Sequence, residues 1–351
     1  MTSKVQTITV GPGDGGQRLD RWLRRLFPHV PQGRIEKMCR KGELRVDGGR
    51  VKANTRLEAG QDVRIPPLPE PEPEGKAPKP REPKVSDADA KLIQSCVIYR
   101  DDQVIAINKP AGLPTQGGSK QTRHVDGLAE ALKFGFEEKP RLVHRLDKDT
   151  SGVLLLARDR ATAQALTAAL RHKQTRKIYW ALVAGVPTPY LGEIRYGLMK
   201  APGHGKGGEG EKMIAVHPRD IDKTPDAKRA HTLYATLYRV ASRAAWVAME
   251  PLTGRTHQLR AHMAEIGHPI IGDGKYGGSG QENLGDGWGA QLGGIISKKL
   301  HLHARSMTFE HPVTHKMITV TAPLPEHMAH SWETFGWTED LAADDPFEEL
   351  R

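Results

Sequence analysis

The chain has 351 residues, more than one compact domain usually holds, and its 37% apolar and 27% charged residues suit a water-soluble protein with a real core. Two cysteines, Cys39 and Cys96, exclude a disulfide framework and a cysteine-rich zinc site and suit a reducing compartment; no apolar run is long enough to span a bilayer, and residues 1–10 do not read as a secretory signal. Lys and Arg outnumber Asp and Glu by 52 to 42, a net charge of +10, which favours a polyanionic partner, most simply nucleic acid, over a small acidic substrate.

In chain order, Leu19, Leu23 and Leu26 recur at helical spacing, with Arg21, Arg24 and Arg25 on other faces, and Pro28 closes the helix. A second helix is expected over 31–41 on Ile35 and Met38, stopped by Gly42. Residues 44–46 alternate as a strand, Asp47-Gly48-Gly49 turns, and 63–65 returns as its partner. So small a unit buries little and chiefly presents a face. Arg18, Arg21, Arg34, Lys37, Arg40, Lys41 and Arg45 crowd this stretch. Any one of them reads as a solvated charge, but together they suit phosphate contacts.

Residues 66–84 read PPLPEPEPEGKAPKPREPK, proline and charge with almost nothing apolar, which suits an extended, semi-rigid spacer. The expected division is a basic domain over 1–65, a linker over 66–88, a larger domain over 89–330 and an acidic, solvated tail over 331–351.

In the larger domain, short strands are expected over 104–107, 153–157, 179–183, 232–238, 245–249 and 317–320. One clear helix, 162–171, carries Ala165, Leu166, Ala169 and Leu170 as its buried stripe. Strands outnumber helices and do not alternate with them, so the fold class is α+β with a large mixed or antiparallel sheet.

Residues 142–152, LVHRLDKDTSG, pack His144, Arg145, Asp147, Lys148 and Asp149 between two apolar runs. The stretch is either a structural ion-pair loop or a core-edge site where a carboxylate beside an arginine has a tuned pKa. Residues 253–262, TGRTHQLRAH, cluster Arg255, His257, Arg260 and His262. A helix opening at Thr256 places His257 and Arg260 on one face and turns Leu259 and Met263 inward. Arg260 then meets a carboxylate of the first loop. Tyr179 is either core or a ring facing the site, able to stack on a base. His301 and His303 alternate onto one side, as a metal pair or, better, as packed hydrogen-bonding histidines. No HExxH or clustered ligands complete a metal site. Residues 201–230, polar and basic, and 277–294, glycine-rich, are expected as long insertions, at least one without fixed order.

The segment 18–48, with Arg18-Leu19-Asp20, Arg34-Ile35 and Lys41-Gly42-Glu43-Leu44-Arg45-Val46-Asp47-Gly48, resembles the S4 RNA-binding domain, with Asp47 in place of the usual asparagine. The strings Asn108-Lys109-Pro110-Ala111-Gly112, HRLDKDTSG, Arg176-Lys177-Ile178-Tyr179, Gly254-Arg255-Thr256-His257-Gln258-Leu259-Arg260 and Leu300-His301-Leu302-His303-Ala304, in that order, resemble the RluA-type RNA pseudouridine synthases over about 17–325. Within that family the layout is most similar to the bacterial enzymes of large-subunit ribosomal RNA, the RluC and RluD types.

The resemblance implies a pseudouridine synthase α+β catalytic domain behind a small S4-like α/β domain. It implies Asp147 as the catalytic aspartate, Arg145 as the residue that flips or holds the target nucleotide, Tyr179 as the ring stacked on its base, and Arg260 as the cation paired with Asp147. His144, Arg255, His257 and the basic residues of 18–45 are expected RNA contacts. Isomerising uridine moves one bond within one nucleotide, so no cofactor and no metal are expected. The expected partner is large-subunit ribosomal RNA or its precursor, with a monomeric enzyme, no membrane, and a bacterial cytoplasm. A transfer RNA substrate and a non-catalytic RNA-binding or ribosome-assembly factor are the alternatives. A hydrolase built on Asp147 lacks a nucleophile elbow.

Overall fold

The computed structural model describes residues 5–68, 85–117, 123–171, 175–201, 212–277 and 296–350. They divide into two compact units, Met1–Arg81 and Glu82–Arg351. Most of the expected linker, 69–84, and nearly all of the glycine-rich insertion, 278–295, lie outside the described residues.

The first unit carries β1 (Gln6–Thr9), α1 (Leu19–Leu26), α2 (Gln32–Lys41), β2 (Arg45–Val46), β3 (Gly49–Arg50) and β4 (Asp62–Ile65). Leu19, Trp22 and Leu23 of α1 and Ile35 and Met38 of α2 are buried on Val63 and Ile65 of the sheet. Gly42 ends α2 with φ 70, the left-handed turn that a side chain disfavours. Sequence patterning missed β1, which pairs antiparallel with β4 and gives the order β1-β4-β2-β3.

In the second unit, α3 (Asp87–Ser95) precedes β5 (Val97–Arg100) and β6 (Val104–Lys109). After α4 (Val125–Leu128) come β7 (Arg141–Leu142), β8 (Ser151–Ala157), α5 (Arg160–Arg171), β9 (Arg176–Ala184) and β10 (Leu191–Ile194). A small excursion holds β11 (Gly197–Lys200), β12 (Met213–Val216) and β13 (Lys228–Arg229). The chain then runs through β14 (Thr232–Val240), β15 (Ala244–Pro251), α6 (Gln258–Glu265), β16 (Leu302–Glu310), β17 (Met317–Thr321) and α7 (Glu326–Thr334). A ten-stranded sheet runs β10-β14-β15-β9-β16-β8-β6-β5, with β17 added to β16 and β7 to β8.

Every neighbouring pair in this sheet is antiparallel except β8 with β16, which makes it mixed. That parallel pair explains the glycine of TSG. Gly152 has φ 109, and a Cβ there would stand 2.2 Å from the Ala304 carbonyl oxygen of β16. Only glycine lets the two strands approach at the head of the HRLDKDTSG loop.

Three expectations need correction. The buried stripe of α5 runs through Thr162 and Leu166, backed by Ala163 and Leu170, and Ala165 is exposed. Composition alone cannot phase a helix rich in alanine on every face. The stretch 201–230 is not merely a polar loop, because β12 and β13 flank β11 as a three-stranded sheet; residues 202–211 lie outside the described set. The acidic end is not solvated either. Trp332, Trp337 and Phe347 are buried with Trp180 and Trp246 in one cluster, and Asp345 pairs with Arg176. Widely spaced aromatics within an acidic stretch carry more burial energy than its average composition suggests. Among the described residues no helix is long and apolar enough to cross a membrane.

Candidate active site

The loop between β7 and β8 is clamped on both sides of Asp147. Thr115 Oγ1 donates to the Leu146 carbonyl at 2.7 Å and accepts the Leu146 amide at 3.2 Å. The Lys148 carbonyl accepts from the Gly112 amide at 2.9 Å and from Lys109 Nζ at 3.0 Å. Lys109 is fully buried, and its Nζ also donates to the Pro110 and Leu113 carbonyls at 2.9 and 2.8 Å. Burial pushes its pKa down to about 7, against the pull of Asp149 and Asp147. Three carbonyl oxygens around one nitrogen fit the ammonium form, which has three protons to donate.

The Asp147 carboxylate is 30% exposed and faces a cavity of about 560 Å³. Arg145, Lys177, Tyr179, His257 and Arg260 line the same cavity. Its size suits one small ligand or one nucleotide.

Helix α6, which opens at Gln258 and not at Thr256, and its cap residue His257 bring two cationic or cation-capable side chains to Asp147. Arg260 Nη1 stands 3.6 Å from Asp147 Oδ2, and His257 Nε2 stands 3.8 Å from the same oxygen. Arg260 is held more tightly by Asp273, through Nε to Oδ2 at 2.7 Å and Nη2 to Oδ1 at 2.8 Å. Burial opposes both charges, yet the paired hydrogen bonds and mutual attraction win, raising the Arg260 pKa and lowering that of Asp273. One edge of the guanidinium, Nε and Nη2, is thus fixed, and Nη1 is left facing Asp147. Leu259 and Met263 pack inward, as the spacing predicts. Gln258 is a clamp: its Nε2 donates to Thr232 Oγ1 and the His231 carbonyl, and its Oε1 accepts from Thr253 and the Arg255 amide.

Tyr179 lies half-buried in the cavity wall, and burial, with the charge of Asp147 adding to it, pushes its phenol above the ordinary range. The ring therefore stays neutral. Arg145 is exposed at the rim, and its side chain makes no hydrogen bond or ion pair with the described residues.

Two expected RNA contacts have work inside the protein. His144 Nε2 accepts the Leu155 amide at 3.0 Å, and burial pushes its pKa down to about 3, so it is a neutral strap across the loop. Arg255 donates through Nε to the Arg229 carbonyl at 3.0 Å while lining the cavity. His301 and His303 are the hydrogen-bonded alternative: His303 Nδ1 meets Ser151 Oγ and His301 Nε2 meets Ser331 Oγ. Among the described residues no group of three or more His, Cys, Asp or Glu is placed to hold a metal.

The basic residues of 18–45 sit in the first unit and fall into two sets. Arg21, Arg34, Lys37 and Arg40 are exposed and pair with no described residue; Lys41 is exposed and stands 3.7 Å from Glu43. Arg18 is bound to the buried carboxylate of Asp20, and Arg45 to the carbonyls of Gly42 and Gly48. These last two hold the unit together.

Sequence reasoning missed Asp273 and Tyr276 and assigned no task to Lys109 or Thr115. Tyr276 Oη accepts the Met213 amide at 2.8 Å and meets His257 Nδ1 at 3.0 Å, and the Arg260 guanidinium lies 5.2 Å from its ring centre. The run Gly272-Asp273-Gly274-Lys275-Tyr276 reads as an ordinary turn, and nothing local shows that its carboxylate is buried on an arginine.

The family model described as RNA pseudouridylate synthase matches residues 103–265, and the S4 domain model matches residues 17–63. The chain is 35% identical over 329 residues to the ribosomal large subunit pseudouridine synthase C of Vibrio cholerae, covering 93% of this chain and 95% of that protein. It is 35% identical over 327 residues to the Escherichia coli protein of the same name, again covering 93% and 95%. Of solved structures, human RNA pseudouridylate synthase domain containing 4 superposes with a TM-score of 0.56 at 30% identity, covering 70% of this chain and 94% of that one.

Proposed function

The chain belongs to the RNA pseudouridylate synthase family, and from that premise we propose that it converts uridines of bacterial large-subunit ribosomal RNA to pseudouridine with Asp147 as the catalytic carboxylate. The observation that carries the reading is one half-exposed carboxylate facing a cavity between a buried arginine, a neutral tyrosine and a histidine.

The reaction breaks N1–C1′ and forms C5–C1′ within the same nucleotide. A carboxylate serves as nucleophile on C1′, or as base if the ribose passes through a glycal; both routes begin at Asp147. Arg260, held by Asp273, sets a fixed positive charge 3.6 Å from Asp147 and turns the carboxylate into the cavity. The uridine must leave its stack to reach this cavity. Arg145, exposed and with no side-chain partner among the described residues, holds the displaced backbone, and Tyr179 offers the base a flat wall. The names of the relatives favour large-subunit ribosomal RNA, and the free basic residues of the S4 unit suit a structured RNA. The enzyme acts as a monomer in the cytoplasm.

The test is pseudouridine mapping of total RNA from cells lacking the gene, complemented by wild type or by Asp147→Ala. Sites in large-subunit ribosomal RNA should vanish and return only with wild type. Loss confined to transfer RNA overturns the substrate. Purified enzyme that binds ribosomal RNA and modifies no uridine overturns the activity and leaves a binding factor.

A further inference from the structure

We propose that His257 is a catalytic hydrogen-bond donor, presenting Nε2–H to a carbonyl oxygen of the target uracil as the N1–C1′ bond breaks. The inference rests on the pseudouridine synthase reading and assigns a task that Asp147, Arg145, Tyr179 and Arg260 leave unfilled.

Hydrogen-bond accounting sets the tautomer. Tyr276 Oη accepts the Met213 amide at 2.8 Å, so its own proton is free to go to His257 Nδ1, 3.0 Å away. An Nδ1 that accepts leaves the imidazole proton on Nε2. That nitrogen points into the cavity, and its nearest carboxylate oxygen, Asp147 Oδ2, is 3.8 Å away, too far for a hydrogen bond. The side chain is only 9% exposed. It is therefore a buried donor with no acceptor among the described residues, standing over the carboxylate that begins the reaction.

The backbone gives independent support. His257 has φ 51, in the left-handed region, and caps the start of α6. A non-glycine residue held there is strained, and such strain is retained where the side-chain direction matters. The T-shaped contact with Tyr276, ring centres 5.7 Å apart, fixes the imidazole plane.

The chemistry needs such a donor. When N1–C1′ breaks, its electron pair stays with the uracil, and the negative charge spreads onto O2 and O4. Burial holds the His257 pKa below the ordinary value, so the ring is neutral at pH 7. A neutral imidazole donates to a developing oxyanion without pairing permanently with Asp147, as a charged one would. No proton changes hands in this step.

The test ranks three variants in single-turnover kinetics on ribosomal RNA. Gln places an amide N–H near the Nε2 position; Asn tolerates the left-handed backbone but cannot reach; Ala does neither. Loss of an oxyanion donor costs about 100-fold in the rate of the chemical step, so His257→Asn and His257→Ala should both fall by about that factor, and His257→Gln should stay within about 10-fold of wild type. RNA carrying 5-fluorouridine, whose base leaves more readily as an anion, should narrow the gap between wild type and Asn in N1–C1′ cleavage. A structural role predicts the reverse ranking, Asn best, with an unchanged gap; that result overturns the inference, as does wild-type turnover by Asn. Failure of wild type to form pseudouridine on RNA it binds overturns the underlying activity instead. Melting curves of all three variants separate loss of donor from loss of fold.

Discussion

Arg21, Arg34, Lys37 and Arg40 of the N-terminal unit stand in solvent with no partner among the described residues, whereas the second unit buries Arg260, Asp273 and Lys109 and surrounds each with fixed hydrogen bonds. The first arrangement acts at a distance, is screened by salt and spreads its energy over many interchangeable side chains. The second acts through geometry, costs desolvation to build, and fails when one member is removed. Binding and chemistry thus use the same residue types in opposite environments. The contrast can be broken or sharpened residue by residue.

The largest effect is expected from Asp273→Ala. It leaves Arg260 buried with Asp147 as its nearest carboxylate, and breaking one half of a buried pair costs about 3–5 kcal/mol. Denaturant unfolding should register that loss, and kcat should fall at least 100-fold as the guanidinium leaves its place. Lys109→Met comes next. It strips donors from three carbonyls behind the catalytic loop, an expected loss of about 1–3 kcal/mol with a matching fall in kcat and little change in RNA affinity. Unchanged stability in either variant would mean that the buried network carries less than its geometry implies.

A third effect is set by pH. His262, His301 and His303 are held down to about 4 by burial, and His144 to about 3. Unfolded, each returns to about 6.5. Below that value the unfolded chain binds more protons than the folded one, so stability is full above pH 6.5 and is lost as pH falls toward 4, by about 1 kcal/mol per unit for each histidine. The first unit has one histidine, His29, and it is exposed. Amide exchange measured at pH 7 and pH 5 should therefore show the second unit losing protection and the first holding it.

The smallest effect is expected where charge is exposed. Arg34→Gln with Lys37→Gln should leave stability and kcat unchanged, weaken RNA binding a few-fold, and reduce the slope of log affinity against log salt by about 2. A change in kcat would show that the first unit does more than bind.

Much was legible in the sequence because its causes are local. The helices of the first unit, the strands 104–107, 153–157 and 245–249, and the α+β class follow from the spacing of apolar residues and from turn formers. Asp147, Arg145, Tyr179 and Arg260 were named from motifs more than a hundred residues apart at their extremes, and the fold lines one cavity with them. The glycine of TSG needed the structure to explain it, since its reason is a carbonyl on β16.

What the sequence determined by itself was therefore the class of fold and the family, because hydrophobic period and contiguous motifs are properties of neighbouring residues. Only the tertiary structure decided which charge faces which. It set Asp273 on Arg260, Tyr276 on His257, Arg18 and Arg45 on their own unit, and Phe347 of the acidic tail in the core of the second unit. Those pairings depend on burial and on contacts across long loops, and a buried carboxylate and a solvated one are spelled with the same letter.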